Sequence, residues 1–521
     1  MAQQRGGNYP PNDRNASQYY QAGQAPNPGS GSGLTPEQRR VRQRRRQEQL
    51  DRKLSRRRTL FGILLLLIVI ASFCTILAVN GSMGSVGQTE LDMLDTGDMD
   101  DEAEEAAYDG PPVATIAFVG DISVSADQVA AATKQDGTYD FTLPMSDVAD
   151  HIADAAYAVG NFETNLVDGL SYGAEPYYNA PVELAGSLRG LGFRLMSTAN
   201  TYALNNGIEG LISTKKYLTE ARLRSVGTYL TQEDRDTNGG AYIRSIHKIR
   251  FGFLSYTKGT DSVSMPKGCE YALNTLYSDY ADYWTDLKSS QIRQDVQAAR
   301  DAGAEVIIAL VHWGSEYGRT LREPQKEAAE LLLECGVDVI IGTHSHLVGQ
   351  MGFETVELAN GGTKNCFVAY GLGDFYTDPA QENGQQSVIL NLEFSREDDG
   401  NVAITKAEYV PIYMNITEEN GRRQFMVLDV YKNLANLKRT TMTADESELF
   451  NQLLDTVDTL HTYAGEEWDA GPGESDQRII NRVLEEGPVS ESSIKALRKE
   501  EQTARKAAEE GSAEDETGLA E

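Results

Sequence analysis

Short apolar runs recur through the middle of the chain and alternate with stretches whose apolar positions fall three or four residues apart. The runs are ATIAFV (114–119), AYAV (156–159), FRLMS (193–197), FGFLSY (251–256), VIIALV (306–311), VDVII (337–341) and CFVAY (366–370). Continuous apolar runs rich in β-branched residues predict strands buried on both faces. Helical spacing lies between them, as in MSDVADHIADAA, ELAGSLRGLG, IEGLISTKKYLTEARLRSVG, SSQIRQDVQAARDAGA and EPQKEAAELLLECG, with glycine near several ends as a C-cap signal. This alternation predicts an α/β sheet covered on both faces. After Gln386, SVILNLEFSREDDGNVAITKAEYVPI reads as a hairpin around DDGN, giving an α/β sandwich with an antiparallel addition.

Upstream the pattern changes to one uninterrupted apolar block, LFGILLLLIVIASFCTILAV (60–79), without a charged residue. At 1.5 Å per residue it spans about 30 Å, the thickness of a bilayer's hydrocarbon core, and predicts one transmembrane helix. The 59 residues before it carry 13 Lys and Arg against four acids. That bias places the N-terminus in the cytoplasm and everything after residue 79 outside. So long a leader favours an uncleaved anchor over a signal peptide. Its basic run, VRQRRRQEQLDRKLSRRR, suits orientation and attraction to anionic lipid.

The expected organisation is a basic disordered cytoplasmic segment (1–59), the transmembrane helix (60–79), an acidic linker (80–111), a folded domain (112–415), a partly helical extension (416–475) and a charged, largely disordered tail (476–521). Residues 80–110 hold ten acids and no base, the composition of a solvated, self-repelling stalk. A helix expected over 446–461 either caps the domain or meets a partner.

The whole chain of 521 residues carries a formal charge of −31, and nearly all of the acidity lies after residue 60. Such a surface excludes a nucleic-acid partner, which needs a basic face. Four cysteines in a chain of this length exclude a disulfide scaffold or zinc-finger array.

Five polar clusters follow directly on the predicted strands: Gly120-Asp121, GNFE (160–163), Ala199-Asn200, HWGSEY (312–317) and GTHSH (342–346). In open α/β sheets, ligands bind in the crevice at the carboxyl ends of strands. Three of only six histidines, His312, His344 and His346, lie in these clusters. With Asp121, Glu163 and Asn200 they form a mixed oxygen and nitrogen donor set that borderline divalent transition metals accept. Each has a bland explanation when taken alone: Asp121 as a helix cap, Glu163 as an ion-pair partner, Asn200 as a turn residue, the histidines as a satisfied polar pair. Five strand-end placements together favour a metal site.

The ordered set GD, GNFE, AN, HWGSEY, GTHSH and YGLGDF (370–375) resembles the CapA family of poly-gamma-glutamate capsule-synthesis proteins over about residues 112–415. The resemblance implies a fold similar to the calcineurin-like metallophosphatases, a sandwich with a strand-end metal crevice, here preceded by one transmembrane helix. It implies one or two divalent ions (Mn, Fe or Zn), with Glu163 as bridging carboxylate. One ion would take Asn200, His312 and His344, the other Asp121 and His346. It also sets Tyr202 and Asp374 in catalytic positions. There the chain departs from the family: Tyr202 replaces a proton-donating histidine, Asn205 an aspartate, Asp374 an asparagine and Ser345 a proline. Ser123 stands where metallophosphatases carry a further histidine. These changes spare metal binding more than catalysis.

Three readings follow. The protein is a membrane-anchored, extracytoplasmic, metal-dependent hydrolase or transferase acting in synthesis or export of a poly-gamma-glutamate type capsule or envelope polymer. Alternatively it is a catalytically weakened polymer-binding component of the synthase complex, or a scaffold of the envelope. The implied partners are the membrane and an anionic polymer or its synthase complex.

Overall fold

Every apolar run singled out above is a strand. In chain order the described strands are β1 (Val113–Ile122), β2 (Tyr157–Phe162), β3 (Asn165–Leu166), β4 (Asn179–Ala180), β5 (Phe193–Ser197), β6 (Arg224–Val226), β7 (Tyr242–Ile246), β8 (Ile249–Thr257), β9 (Val306–His312), β10 (Val339–Thr343), β11 (Met351–Glu357), β12 (Thr363–Ala369), β13 (Asp374–Tyr376), β14 (Gln386–Arg396), β15 (Val402–Glu419) and β16 (Arg422–Asp429). Between them lie helices α1 (Ala126–Ala132), α2 (Ala149–Ala153), α3 (Glu183–Leu191), α4 (Gly207–Glu220), α5 (Gln232–Asp236), α6 (Ser289–Asp301), α7 (Glu323–Glu334), α8 (Val430–Asn436) and α9 (Ala444–Leu460). This computed structural model describes residues 105, 107–357, 362–437 and 442–472, with the single positions 480, 499 and 503. The expected transmembrane run 60–79 and cytoplasmic segment 1–59 lie outside the described residues. Among those described, no helix is long and apolar enough to cross a membrane.

The strands form two large sheets. One runs β16-β15-β14-β1-β2-β5-β6, with β13 also paired to β1; the other runs β11-β12-β10-β9-β8-β7. Side chains alternate across a strand, so each strand feeds two cores. On β1, Ile116 and Phe118 point between the sheets and meet Phe253, Ile308 and Val339, while Ala117 and Val119 point outward to Leu184, Leu188 and Leu218 of α3 and α4. In the second sheet Leu254, Ile307 and Val368 face Ile292, Val296, Ala328 and Leu332 of α6 and α7. The result is a mixed α/β sandwich of helices, sheet, sheet and helices, with β1, β2, β8, β9 and β10 buried almost throughout. The expected sandwich is present.

Two boundaries differ from expectation. The first sheet does not stop at residue 415: β15 runs to Glu419 and pairs with β16 from Glu419↔Arg422 to Ile412↔Asp429. Helix α9 then caps this edge, burying Phe450 and Leu453 against Tyr413, Val430 and Leu434. The acidic linker is also not wholly free. The β7–β8 turn places His247 and Lys248 in the left-handed region (φ 48° and 65°), and their backbone N–H groups donate to the Glu105 carboxylate at 2.8 and 2.7 Å. Tyr108 stacks flat on His247 with ring centroids 3.7 Å apart.

One glycine is dictated by close approach. A Cβ on Gly120 would lie 1.8 Å from the carbonyl oxygen of Gly373, just ahead of β13, whereas one on Gly186 of α3 meets nothing within 4 Å. Gly120→Ala is therefore expected to cost about 3 kcal/mol, the upper end of overpacking penalties. Gly186→Ala should be neutral or stabilising by up to about 1 kcal/mol. Urea denaturation of both variants checks the contrast; equal midpoints would show that β13 does not pack on β1.

Candidate metal centre

Strand register brings the predicted residues to one rim. Asp121 near the end of β1 stands opposite Asn161 of β2 and Asp374 of β13. His312 ends β9 and stands opposite Thr257 of β8 and Thr343 of β10. Glu163 follows β2 directly, Asn200 lies just beyond β5, and His344 and His346 follow β10. Both of those histidines adopt positive φ (89° and 56°), a backbone state that non-glycine residues rarely hold. Such strain concentrates at functional sites, where surrounding structure maintains it.

The side chains meet in two groups. Glu163, His312 and His344 each offer a donor atom within 4.8 Å of the others, and so do Asp121, His346 and Asp374. His312 Nε2 is 3.0 Å from His344 Nδ1 and 3.2 Å from Glu163 Oε1. The other nitrogen of His312 lies 3.1 Å from Thr343 Oγ1 and 3.3 Å from Asn161 Nδ2, which fixes the ring. Asn161 Nδ2 also donates to Asp121 Oδ1 at 2.6 Å, and the His344 backbone N–H donates to Asp121 Oδ2 at 3.1 Å. His346 Nδ1 is 2.7 Å from Asp374 Oδ1 and 3.6 Å from Asp121 Oδ2. Asp121, Glu163, Asn161, His312, His344 and Asp374 are all buried.

Burial sets the electrostatics. It pushes Asp121 up to about 7, helped by Glu163, and Glu163 up to about 8, helped by Asp374. It drives His312 down to about 3 and His344 well below the usual imidazole value. Burial also opposes charge on His346, but the Asp374, Glu163 and Asp121 carboxylates overcome it and hold that imidazole well above its usual value. Two neutral imidazoles with facing nitrogens beside carboxylates that resist ionisation form a chelating set that lacks positive charge. Consistently, Glu163 Oε1 and Asn161 Oδ1 are buried without any hydrogen bond, a costly state for polar atoms that a cation would relieve. The donors therefore fit divalent ions.

Asn200, expected as a ligand, is buried just beyond β5. Its Nδ2 donates to the Phe162 carbonyl at 2.7 Å and its Oδ1 accepts the Tyr202 N–H at 3.1 Å, so the amide ties the β5 loop to the end of β2. Tyr202 lies flat against Tyr178, ring centroids 3.4 Å apart, and burial holds its phenol well above the usual value. Asp374, expected in a catalytic position, lies among the donor groups beside Asp121 and His346.

Four residues were missed. Asn161 lay within the GNFE motif, Thr201 and Thr343 beside the named donors; only adjacency marked them. Thr201 Oγ1 is 3.0 Å from His312 Nε2. Lys258 follows β8 without any neighbouring motif, yet it is buried, donates to the Gly314 carbonyl at 2.6 Å and rests on Trp284, and burial lowers it to about 8. Elsewhere on the surface Lys215 pairs with Asp234, Lys216 with Glu220 and Lys326 with Glu323, and Arg319 rests on Tyr463.

A family model described as the bacterial capsule synthesis protein PGA_cap matches residues 115–379, half of the chain and the span that carries every donor above. The chain belongs to this family. Among relatives, this chain is 24% identical over 298 residues to the PGA biosynthesis protein CapA of Bacillus subtilis (strain 168), covering 56% of this chain and 71% of that one. It is 22% identical over 331 residues to the capsule biosynthesis protein CapA of Bacillus anthracis, covering 61% and 72%. Among solved structures, the calcineurin-like phosphoesterase YfkN from Bacillus subtilis is similar at 14% identity, with a TM-score of 0.32, over 67% of this chain and 98% of that chain. Haemophilus influenzae NAD nucleotidase is similar at 12% identity, with a TM-score of 0.35, over 72% and 67%.

Proposed function

We propose that this PGA_cap-family protein is anchored in the membrane through residues 60–79, carries its folded domain outside the cell, and acts in synthesis or export of a capsule or envelope polymer through a divalent-metal centre. The observation that carries the reading is the convergence of three imidazoles and three carboxylates from distant parts of the chain at one rim. Glu163, His312 and His344 would hold one ion and Asp121, His346 and Asp374 another, with Glu163 near both. Bound there, divalent ions supply Lewis acidity toward a phosphoryl or carbonyl oxygen. The chain's own part is to fix the donors: Asn161 and Thr343 hold the His312 ring, Asn161 and the His344 N–H hold Asp121, and Thr377 holds Asp374 through a 2.7 Å hydrogen bond. Elemental analysis of protein prepared without chelator or affinity metal tests it. One to two Mn, Fe or Zn ions per chain are expected; less than about a tenth of an ion would remove the reading.

A second reading, a weakened enzyme that binds polymer within a synthase complex, is favoured by Tyr202. A buried phenol stacked on Tyr178 and held well above its usual value keeps its proton, so it can donate a hydrogen bond but not serve as leaving-group acid. Tyr202→Phe discriminates the two. If the phenol serves turnover, a phosphodiester reporter assay with added Mn²⁺ should fall about 100-fold, within the range for lost proton transfer. If the second reading holds, the wild-type rate is already at the buffer background and the variant leaves polymer production in cells intact.

A further inference from the structure

A cavity of about 620 Å³ opens on the outer side of the second sheet, between α5, the loop that precedes α6 and the first turn of α6. None of the residues lining it is a donor of the metal centre. Its volume is that of pockets that hold small organic ligands. Arg235 of α5 lines it with a side chain only 9% exposed, and Asp295 accepts from its Nη2 at 2.7 Å. Among the described residues the guanidinium has no other acceptor, which leaves Nε and Nη1 to the cavity. Asp295 is already committed, since it also accepts the Tyr256 hydroxyl at 2.9 Å and Gln291 Nε2 at 2.8 Å. The turn after α5 seats against α6 because residue 239 is glycine (φ 67°): a Cβ there would lie 2.7 Å from Asp295 Cα.

A second cation stands at the same place. Lys288 Nζ donates to Thr275 Oγ1 at 2.6 Å and lies 6.0 Å from the Tyr280 ring, with no carboxylate paired to it among the described residues. Burial, and after it the like charge of Arg235, lowers this ammonium from its usual value. Lys288 is also the N-cap of α6 and makes no side-chain cap, and the first turn carries no acid. The Ser289 N–H is spent on the Leu287 carbonyl at 2.7 Å and the Ile292 N–H on the Lys288 carbonyl at 3.0 Å. The N–H groups of Ser290 and Gln291, which both line the cavity, have no acceptor among the described residues. Unspent N–H groups at the positive end of a helix dipole attract anions. Two acids, Asp236 and Glu270, line the cavity as well, but both are exposed and each already accepts a local hydrogen bond, from Gln232 Nε2 and the Gly268 N–H.

We infer that this cavity binds an organic oxyanion, a carboxylate or a phosphate ester, without any metal. Arg235 and Lys288 hold its charge, the Ser290 and Gln291 N–H groups take its remaining lone pairs, and Tyr256, Tyr271 and Leu273 flank its organic body. The site goes beyond the proposed function and holds whether or not an ion occupies the strand-end crevice.

Isothermal titration calorimetry of the full-length chain in detergent, with metal removed and chelator present, tests it against glutarate and against glycerol phosphate. The chelator excludes oxyanions that bind through a metal. One equivalent of at least one probe should bind with a Kd of about 1 mM or tighter, and the tighter probe separates carboxylate from phosphate recognition. Lys288→Ala should weaken binding by about tenfold or more, the scale of a lost charge-assisted hydrogen bond, and Lys288→Arg should restore most of it. Arg235→Lys keeps a charge opposite Asp295 but gives up the planar fork, and should weaken binding by a similar about tenfold factor. The Tm of each variant without probe separates lost binding from lost fold; should Arg235→Lys not fold, Lys288→Ala decides alone. Wild type that takes up neither probe at about 10 mM, or affinity unchanged in Lys288→Ala, would overturn the assignment.

Discussion

His312→Ala is expected to strip the centre of bound metal and to abolish capsule polymer in cells. His312 is the hub of the cluster. Its Nε2 faces Glu163, His344 and Thr201 at 3.2, 3.0 and 3.0 Å, and its Nδ1 faces Thr343. Removing an outer-shell partner of a ligating histidine typically costs 10–100-fold in metal affinity, so loss of the histidine itself should cost about 100-fold or more. The measurement is ion content per chain after equilibration at micromolar free metal, alongside polymer yield in a strain carrying the variant. Because His312 is fully buried, alanine also leaves a cavity between β8 and β10. His312→Asn serves as a second variant, nearer in volume and still able to bond Thr343. Both should lose metal; retention of full loading by either would mean that the cluster is a structural polar network. Intact polymer in a metal-free variant would support the scaffold reading in place of the proposed function.

The strong strands were legible because burial on both faces writes a continuous apolar run into the sequence, and β1, β9 and β10 each carry one. Strands buried on one face or one edge were not. Strand β6, RSV, has no apolar run and hides behind α4, whose helical spacing continues through ARLRSVG; only pairing of Leu195 with Arg224 makes it a strand. Strands β7, β11 and β16 alternate with polar positions and read as loop or extension. The site was legible wherever a donor follows a strong strand, as Asp121, Glu163, His312, His344 and His346 do. What the sequence does not carry is the pairing across the rim. Whether Asp374 acts on substrate or stands among the donors depends on β13 lying beside β1, a contact between segments far apart in the chain. Lys258 escaped because a lone lysine after FGFLSYT carries no motif. Glu105 escaped because its run of acids looks uniformly solvated, and nothing local announces that the His247-Lys248 turn points two N–H groups at it.

Stability of the metal-stripped domain should fall as pH rises from about 6.5 to 8, the reverse of ordinary carboxylate behaviour. A salt-bridged aspartate has a depressed folded value and stabilises at neutral pH. Asp121 and Glu163 are raised instead, from 3.8 to about 7 and from 4.5 to about 8, because burial penalises their charged forms. Below about pH 4 folded and unfolded chains hold the same protons on these groups. Between there and pH 8 the folded chain retains protons that the unfolded chain has released, so each step upward favours unfolding. His312, lowered to about 3, and His344, also lowered, act in the opposite sense, but only below the unfolded imidazole value near 6.5, where the unfolded chain gains their protons first. His346 is raised, so what it contributes is complete below 6.5 and fades as pH climbs toward its folded value. Just above 6.5 the last protons on the unfolded imidazoles still offset part of the carboxylate effect; well above it all the resolved shifts in the cluster pull the same way. Integrating the two carboxylates across 6.5–8 gives a loss of about 2 kcal/mol. At about 2.1 cal/mol/K of unfolding entropy per residue, that corresponds to a fall of about 3 °C in Tm for a domain of this size. Saturating Mn²⁺ or Zn²⁺ should cancel the loss, since an ion displaces those protons and binds more tightly as pH rises. Differential scanning calorimetry of the stripped protein at pH 6.5 and 8.0, with and without ion, provides the four numbers needed. A stripped Tm that is flat or rising over this interval would mean that Asp121 and Glu163 are already ionised. The crevice would then hold its own countercharge and have no need of a cation.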